Sequence, residues 1–127
     1  MALYALGDLH LAFQRPEKSM DAMGPVWVRH EEKIWKNCQE LVQPGDTLVL
    51  VGDHSWGRKL YQCREDLDFI ANLPGRKILI RGNHDMFWEA QKTDALNQEY
   101  AGKLFFLQNN FAAYRDYALV GTKGFTF

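Results

Sequence analysis

Three short segments of the chain share one pattern, and this pattern restricts the fold more than any other feature. Residues 77–85 read Lys-Ile-Leu-Ile-Arg-Gly-Asn-His-Asp, an apolar run that ends in a glycine and three polar side chains. Residues 4–10 read Tyr-Ala-Leu-Gly-Asp-Leu-His, and residues 48–54 read Leu-Val-Leu-Val-Gly-Asp-His. Polar groups at the end of a buried strand are costly to desolvate unless a metal ion or a charged substrate satisfies them. The sequence therefore predicts three strands whose ends meet at one site.

The segments around and between these motifs predict an α/β fold. Residues 3–6, 47–51 and 77–80 are apolar runs, which is the pattern of strands that are covered on both faces. Two helices are predicted between them, one that begins at Pro25 and one along residues 60–71. The order β-α-β-α-β favours a parallel sheet with right-handed crossovers. The apolar residues that recur at helical spacing are Trp27, Ile34, Cys38, Leu41 and Val42 in the first helix and Leu60, Cys63, Leu67, Ile70 and Ala71 in the second.

The rest of the chain predicts one more helix and three short strands. Residues 86–98 form the predicted helix, with Met86, Phe87, Ala90 and Leu96 facing inward. The predicted strands are residues 103–107, 111–114 and 117–120, with a tight turn at Arg115 and Asp116. We expect part of this sheet to be incompletely covered, and to pack in an oligomer or against further sequence. The residues concerned are Phe105, Phe106, Phe125 and Phe127.

Composition excludes several classes of protein. The chain has 127 residues, of which 46% are hydrophobic, so we expect a single domain over residues 1–127. A formal net charge of −1 and scattered basic residues do not favour a nucleic-acid partner. No apolar run approaches the ~20 residues of a membrane span, and the N-terminus lacks a basic leader. Cys38 and Cys63 lie far apart, which predicts reduced, buried thiols and a cytoplasmic protein.

The polar residues at the strand ends suit a metal centre. In open α/β sheets, ligands bind outside the carboxyl ends of the strands. Asp8 and His10 are two residues apart, so in extended backbone they point the same way and can bind one cation. Asp53 adds a carboxylate that can bridge two ions, and Asn83 adds a neutral oxygen. Imidazole combined with oxygen ligands suits Mn, Fe or Zn better than Ca.

Other residues near these motifs have two interpretations each. His84 follows Asn83 and is predicted to face the substrate as a general acid, with Asp85 holding its ring. The alternative is that Asp85 caps the following helix. His54 is either close to the metals or a supporting loop residue, and Arg58 either contacts a phosphate or is a solvated charge. The remaining predictions are a structural Arg81, a surface His30, and Trp56 and Trp88 as core or loop anchors or as walls of the pocket.

The three motifs, taken in order, resemble those of the calcineurin-like metallophosphoesterases. Asp-x-His, Gly-Asp and Gly-Asn-His-Asp each follow an apolar strand, as they do in that family. Further segments resemble a bacterial branch of predicted phosphohydrolases: Gly-Asp-His-Ser-Trp at 52–56, Leu-Pro-Gly at 73–75, Arg-Gly-Asn-His-Asp at 81–85 and Leu-Gln-Asn-Asn at 107–110.

This resemblance implies both a fold and a reaction. The fold is a metallophosphoesterase-type β-sandwich flanked by helices. The reaction is hydrolysis of a phosphomonoester or phosphodiester at a dinuclear site, where a hydroxide bound to two divalent metals, such as manganese, attacks phosphorus in line. Asp53 would bridge the two metals, and Asp8, His10 and Asn83 would complete the ligands found in this chain. His84 would stabilise charge or protonate the leaving oxygen.

The resemblance covers only the N-terminal half of the family's catalytic domain. The family completes its site with later histidines, one alone and then a Gly-His-x-His pair, whereas the histidines here are His10, His30, His54 and His84. We therefore expect a truncated domain that holds its second metal weakly. The alternative is a non-catalytic relative that binds a metal or phosphate and acts through a partner. Asp53 lacks the following Asp-Arg-Gly of protein phosphatases, so we expect a phosphorylated small molecule or a phosphodiester as substrate.

Overall fold

The computed structural model describes residues 1–123 and contains six strands and three α-helices within them. Short 3₁₀ turns precede α1 in the long segment after β1, and others precede α2 and α3. The strands are β1 (Leu3–Leu6), β2 (Thr47–Leu50), β3 (Arg76–Ile80), β4 (Phe105–Leu107), β5 (Asn110–Tyr114) and β6 (Tyr117–Gly121). The helices are α1 (His30–Leu41), α2 (Arg64–Ala71) and α3 (Thr93–Glu99).

The first four strands form one parallel sheet in the order β1-β2-β3-β4. Leu6 lies opposite Leu50, and Leu50 lies opposite Leu79, so the first three strands end almost level with one another. This register brings the polar segments after β1, β2 and β3 to the same edge of the sheet. The predicted β-α-β-α-β order and its parallel sheet are confirmed, and α3 with β4 extends the order by one more unit.

The two faces of the sheet have different covers. On one face the three helices pack against alternate strand residues, such as Leu48, Leu79 and Phe106, to form the main core. On the other face Ile78 and Leu107 pack with Ala112 of the antiparallel β5–β6 hairpin in a small second cluster. Because both faces are covered, the middle strands are continuous apolar runs. The chain is therefore an α/β protein with a helix-covered sheet and the start of a second sheet.

The first helix begins later than the sequence predicts. Proline and glycine place residues Pro25–Trp27 in a 3₁₀ turn, and the α-helix starts only at His30. The break lies at Arg29, whose φ of 51° is left-handed and cannot belong to a right-handed helix. Cys38 and Val42 pack into the core as predicted, but Leu41 is 62% exposed.

The third helix is also shorter than predicted. Residues 86–89 form turns, a 3₁₀ turn spans Ala90–Lys92, and α3 covers only Thr93–Glu99. Phe87 and Leu96 are buried as predicted, whereas Met86 and Ala90 are exposed. The reason is that Trp88 enters the core and donates its indole N–H to Thr93 Oγ1 at 3.0 Å, which fixes the chain in a non-helical turn before α3.

Burial at the sheet edges differs from prediction in two places. β1 is an edge strand that pairs only with β2, and Leu3 and Ala5 are exposed instead of buried. Phe106 is fully buried between Trp88 and Tyr100, because the alternation of β4 turns it toward the helices. Phe105 is partly buried, and Phe125 and Phe127 lie outside the described residues. The hairpin and its turn at Arg115 and Asp116 are confirmed.

Within residues 1–123, no helix has the length and apolar character that crossing a membrane requires. Cys38 and Cys63 are both free thiols and both buried, as the sequence predicts.

Candidate metal centre

Three loops meet at the carboxyl edge of the parallel sheet. We call them the β1 loop (residues 7–11), the β2 loop (residues 51–57) and the β3 loop (residues 81–86). The β1 and β2 loops continue the pairing of their strands, with hydrogen bonds from Asp8 N to Gly52 O at 3.1 Å and from His10 N to Asp53 O at 2.9 Å. The parallel pairing persists to a bridge between Leu11 and Ser55. The first two loops therefore form one ordered layer.

The β2 and β3 loops approach so closely that glycine is required. A Cβ atom added at Gly82 would lie 2.5 Å from Asp53 Oδ1 and 2.9 Å from Gly52 Cα. Gly52 has a φ of 112°, in the region that glycine adopts without strain. The group that approaches each of these two glycines is the backbone of the neighbouring loop.

Three of the candidate ligands have left-handed backbone conformations. The φ values are 58° at Asp8, 46° at His10 and 54° at Asp53. Such conformations cost about 1–3 kcal/mol each for residues other than glycine, and they cluster at functional sites. The extended backbone assumed for Asp8 and His10 is therefore wrong. The left-handed bends, and not the alternation of a strand, direct both side chains to the same place.

A buried carboxylate fixes the β2 and β3 loops to each other. Asp85 is 1% exposed and accepts backbone hydrogen bonds from Gly82 N at 2.7 Å, His54 N at 2.8 Å and Asp53 N at 2.9 Å. The predicted pairing of Asp85 with the ring of His84 is not formed. Asp85 faces inward, away from the His84 ring, because its oxygens are occupied by the backbone of both loops.

A second buried carboxylate joins the β2 loop, and the segment that follows the β1 loop, to α2. Asp66 is fully buried and accepts hydrogen bonds from Phe13 N and from the Ser55 hydroxyl. Ser55 Oγ in turn accepts from Gly57 N at 3.0 Å. Burial raises the pKa of Asp66 above its usual value, and the hydrogen bonds offset this only in part. Sequence reasoning missed Asp66. Its signal was a carboxylate on the apolar stripe of α2, between Cys63 and Ile70 at helical spacing.

The candidate ligands converge at the exposed end of this layer. Asp8, His10 and Asp53 each offer one ligand atom, and these atoms all lie within 4.8 Å of one another. The side-chain amide of Asn83 lies beside Asp53. Its nitrogen is assigned to the position 3.2 Å from both Asp53 carboxylate oxygens, because there it can donate a hydrogen bond to each. Rotation of the amide would present its oxygen to the same place. An imidazole, two carboxylates and an amide oxygen fit a divalent transition metal.

The electrostatics of the group favour the forms that bind cations. Burial opposes ionisation of Asp53, but hydrogen bonds from the His84 backbone and ring outweigh it, so the pKa of Asp53 lies below its usual value. Burial also lowers the pKa of His10, although the carboxylates of Asp53 and Asp8 oppose this shift. The result is an ionised Asp53 beside a neutral imidazole, which is the protonation state that metal binding requires.

His84 is placed beside Asp53 at the surface of the site. Its backbone N–H donates to Asp53 Oδ1 at 2.8 Å, and its Nδ1 lies 3.1 Å from Asp53 Oδ2. The side chain is 47% exposed. The group that orients the His84 ring is therefore Asp53, and the ring keeps a face open to solvent where a substrate could bind.

The remaining candidates separate into supporting and distant residues. His54 is fully buried, and its Nε2 lies 2.8 Å from Ile80 O, which ties the β2 loop to the end of β3. Arg81 donates to the backbone oxygen of Trp88 and is structural. The Arg58 backbone is held by Gln62 Oε1, and its exposed side chain lines a separate cavity of about 100 Å³ with Met86.

Trp88 and Trp56 each match one of their two predicted interpretations, whereas His30 does not lie at the surface as predicted. Trp88 belongs to the core, whereas Trp56 stacks on His10 with ring centres 4.9 Å apart. His30 is not a surface residue, because its side chain is only 12% exposed and its Nε2 lies 2.6 Å from Leu9 O. His30 also belongs to a second group of potential ligands, together with Asp21 and Glu31.

The fold and the site together define a class of protein. It is an α/β protein whose candidate metal ligands lie at the carboxyl ends of its parallel strands. The family model described as calcineurin-like phosphoesterase matches residues 1–127, and the chain belongs to this family. The general activity of the family is metal-dependent hydrolysis of phosphoesters, and the resemblance seen in the sequence motifs is confirmed.

Individual relatives are similar over part of their lengths. The gene 66 protein of Mycobacterium phage D29 is 36% identical over 78 residues, which is 61% of this chain and 37% of the phage protein. The gene 66 protein of Mycobacterium phage L5 is 35% identical, also over 78 residues and with the same coverage of both chains. The crystal structure of AQ665 from Aquifex aeolicus, a protein of unknown function, aligns with a TM-score of 0.57 and 27% identity. That alignment covers 93% of this chain and 58% of AQ665. The chain thus spans between a third and three fifths of these relatives.

Proposed function

We propose that this chain carries the nucleophile-generating half of a dinuclear phosphoesterase site and hydrolyses a phosphomonoester or phosphodiester. The observation that carries the proposal is the convergence of Asp8, His10 and Asp53 at strained backbone positions on the carboxyl edge of the sheet. Strain of this kind persists only where the surrounding structure enforces it. Asn83 is the fourth ligand, and manganese, iron or zinc are the metals that this donor set suits.

The residues of the site have separate roles in this proposal. Asp8, His10, Asp53 and Asn83 would hold the divalent ions. Bound cations would activate a water molecule and offset charge on the phosphoryl oxygens. His84, exposed beside Asp53, donates a proton to the leaving oxygen or stabilises charge on the phosphoryl group. Asp53 keeps the His84 ring in position through Nδ1, so that Nε2 is free to act on the substrate.

Compartment and assembly are also proposals. Two buried free thiols fit a reducing compartment such as the cytoplasm. The outer face of the hairpin, with Phe111 and Val120 exposed, fits a cover supplied by an oligomer or by further sequence of a longer protein. The substrate partner is a phosphorylated small molecule or a phosphodiester.

The test combines turnover with metal counting. Wild type should hydrolyse a chromogenic phosphomonoester or phosphodiester in the presence of Mn²⁺ and should bind two metals per chain. His84→Ala should lower kcat by about 10²–10⁴-fold, which is the range for loss of a general acid, while metal content stays unchanged. Gln98→Ala, an exposed position on α3, is the matched control and should behave as wild type.

A second outcome would support the non-catalytic alternative. One metal per chain with no turnover of either substrate between about pH 5 and pH 9 would contradict the proposed hydrolysis for this chain. Loss of metal binding in Asp8→Asn, but not in Asp94→Asn on α3, would then identify a binding protein that uses the same ligands.

A further inference from the structure

His10 lacks the hydrogen bond that ordinarily orients a metal-binding imidazole. Its Nε2 faces the site, 3.9 Å from Asp53 Oδ2, while its Nδ1 is buried and has no hydrogen-bond partner among residues 1–123. Metal-ligating histidines almost always donate their second ring N–H to a carboxylate, a carbonyl or water, and this contact fixes the ring. The orientation of His10 must therefore come from packing.

Trp56 supplies the packing surface. The two rings are stacked, with centroids 4.9 Å apart and an angle of 20° between their planes. Trp27 contacts the His10 ring from another side in an edge-on arrangement at 6.2 Å. A stacked contact restricts the tilt of the imidazole without restricting its proton, so it can replace part of what the missing hydrogen bond does.

Trp56 is itself fixed by the loop layer and not by its polar atom. Its backbone N–H donates to Leu11 O at 2.9 Å, and the Lys18 ammonium lies 5.8 Å from its ring centre. The indole N–H is buried and has no hydrogen-bond partner in the described part of the chain. Burying an unpaired indole donor costs free energy, so the indole N–H does not hold the Trp56 ring in place.

We propose that Trp56 is the positioning residue for His10, and that it couples the two ligand loops. Trp56 belongs to the β2 loop, which also carries Asp53, whereas His10 belongs to the β1 loop. The stack therefore sets the direction of the ligand on one loop by a side chain from the other. This inference rests on the proposed function, because it assumes that His10 binds the metal through Nε2.

The first experiment measures Mn²⁺ affinity, from the loss of the free-ion electron paramagnetic resonance signal. Trp56→Leu keeps apolar bulk but removes the stack, and it should weaken binding by about 10- to 100-fold, the range for loss of a contact that orients a ligand. Trp56→Phe keeps an aromatic face and should stay within about threefold of wild type. Trp35→Leu is the matched control, because Trp35 is a partly exposed tryptophan whose ring packs on Phe69, and it should not change affinity.

The second experiment needs no metal. In the metal-free protein, the ring protons of His10 should show an upfield ring-current shift in the nuclear magnetic resonance spectrum, and Trp56→Leu should remove it while Trp35→Leu does not. Circular dichroism and urea unfolding of each variant separate loss of folding from loss of positioning. If Trp56→Leu is unfolded, the comparison of Trp56→Phe with Trp56→Tyr and wild type applies, and all three should bind Mn²⁺ alike.

The outcomes distinguish the two proposals. Wild-type affinity in folded Trp56→Leu, or strong loss in Trp56→Phe and Trp56→Tyr, would overturn the role of Trp56 and leave the proposed function intact. Wild-type protein that binds no Mn²⁺ would overturn both. An absent ring-current shift in wild type would overturn the stack itself, whatever the metal affinity.

Discussion

The three ligand loops and the β5–β6 hairpin flank the same sheet but are held in different ways. The loops depend on two buried carboxylates, Asp66 and Asp85, which accept hydrogen bonds from the β2 and β3 loops and from Phe13, just after the β1 loop. The hairpin depends on regular pairing from Asn110 to Gly121 and on a small apolar cluster beneath it. Stability in the loops is therefore concentrated in single side chains, whereas in the hairpin it is distributed.

The largest effect should follow replacement of Asp85 by alanine. Three backbone N–H groups, on Gly82, Asp53 and His54, would lose a charged acceptor in a buried position. Hydrogen bonds to charged groups contribute about 1.5–3 kcal/mol each, and unsatisfied buried donors add a desolvation cost. We expect the free energy of unfolding, measured by urea denaturation, to fall by at least about 3 kcal/mol.

Asp68→Ala is the matched control for Asp85→Ala, because Asp68 is an exposed carboxylate on α2. It should change the free energy of unfolding by no more than about 0.5 kcal/mol. Equal losses in the two variants would show that the hydrogen bonds to Asp85 do not fix the loops, and the contrast between loops and hairpin would fail.

The sequence predicted the parts of the molecule that depend on local pattern. Apolar runs predicted the parallel strands, and the motifs after them predicted that Asp8, His10 and Asp53 would meet, since strand ends in a parallel sheet share one edge. The hairpin was predicted to within one residue at each end of β5 and β6, because an Arg-Asp turn between apolar runs is a local signal.

Long-range contacts could not be predicted in the same way. Asp85 accepts from the backbone of Asp53 and His54, 32 and 31 residues away, and Asp66 accepts from Phe13 N, 53 residues away. No spacing rule connects a carboxylate to such distant donors. The start of α1 was predicted too early, because Arg29 adopts a left-handed conformation and is not a glycine, the residue that usually indicates one. The predicted third helix begins late, at Thr93, because the burial of Trp88 in the core outweighed the helical spacing of its neighbours.

A smaller effect, with a defined pH dependence, should follow replacement of Asp66 by asparagine. Burial raises the pKa of Asp66 in the folded protein, so the folded state holds this proton more tightly than the unfolded chain does. The tighter proton binding by Asp66 contributes fully to stability below about pH 4, the ordinary pKa of an aspartate. This contribution is lost as the pH rises through the raised pKa of Asp66 in the folded protein. Asparagine stays uncharged and can still accept from Phe13 N and donate to Ser55 Oγ.

Urea unfolding of wild type and Asp66→Asn across this range measures the difference. The free energy of unfolding of wild type, relative to the variant, should decline as the pH rises from about 4 to 7. The exposed replacement Asp94→Asn should not produce such a decline. A wild-type protein that gains stability relative to Asp66→Asn over this range would show that the carboxylate is held in its charged form, and would contradict the raised pKa.

The smallest effect should be found on the outer face of the hairpin. Phe111 and Val120 lie opposite each other in the pairing and are 64% and 74% exposed, so they contribute little to the core of a single chain. Phe111→Ser should change the free energy of unfolding by less than about 0.5 kcal/mol, whereas Leu107→Ala, in β4 of the parallel sheet that the hairpin covers, should cost about 2–5 kcal/mol. The two replacements thus compare the outer face of the hairpin with the apolar cluster beneath its inner face. A loss above about 1 kcal/mol for Phe111→Ser that grows with protein concentration would show that a second copy covers this face, because binding between chains stabilises the folded state by mass action.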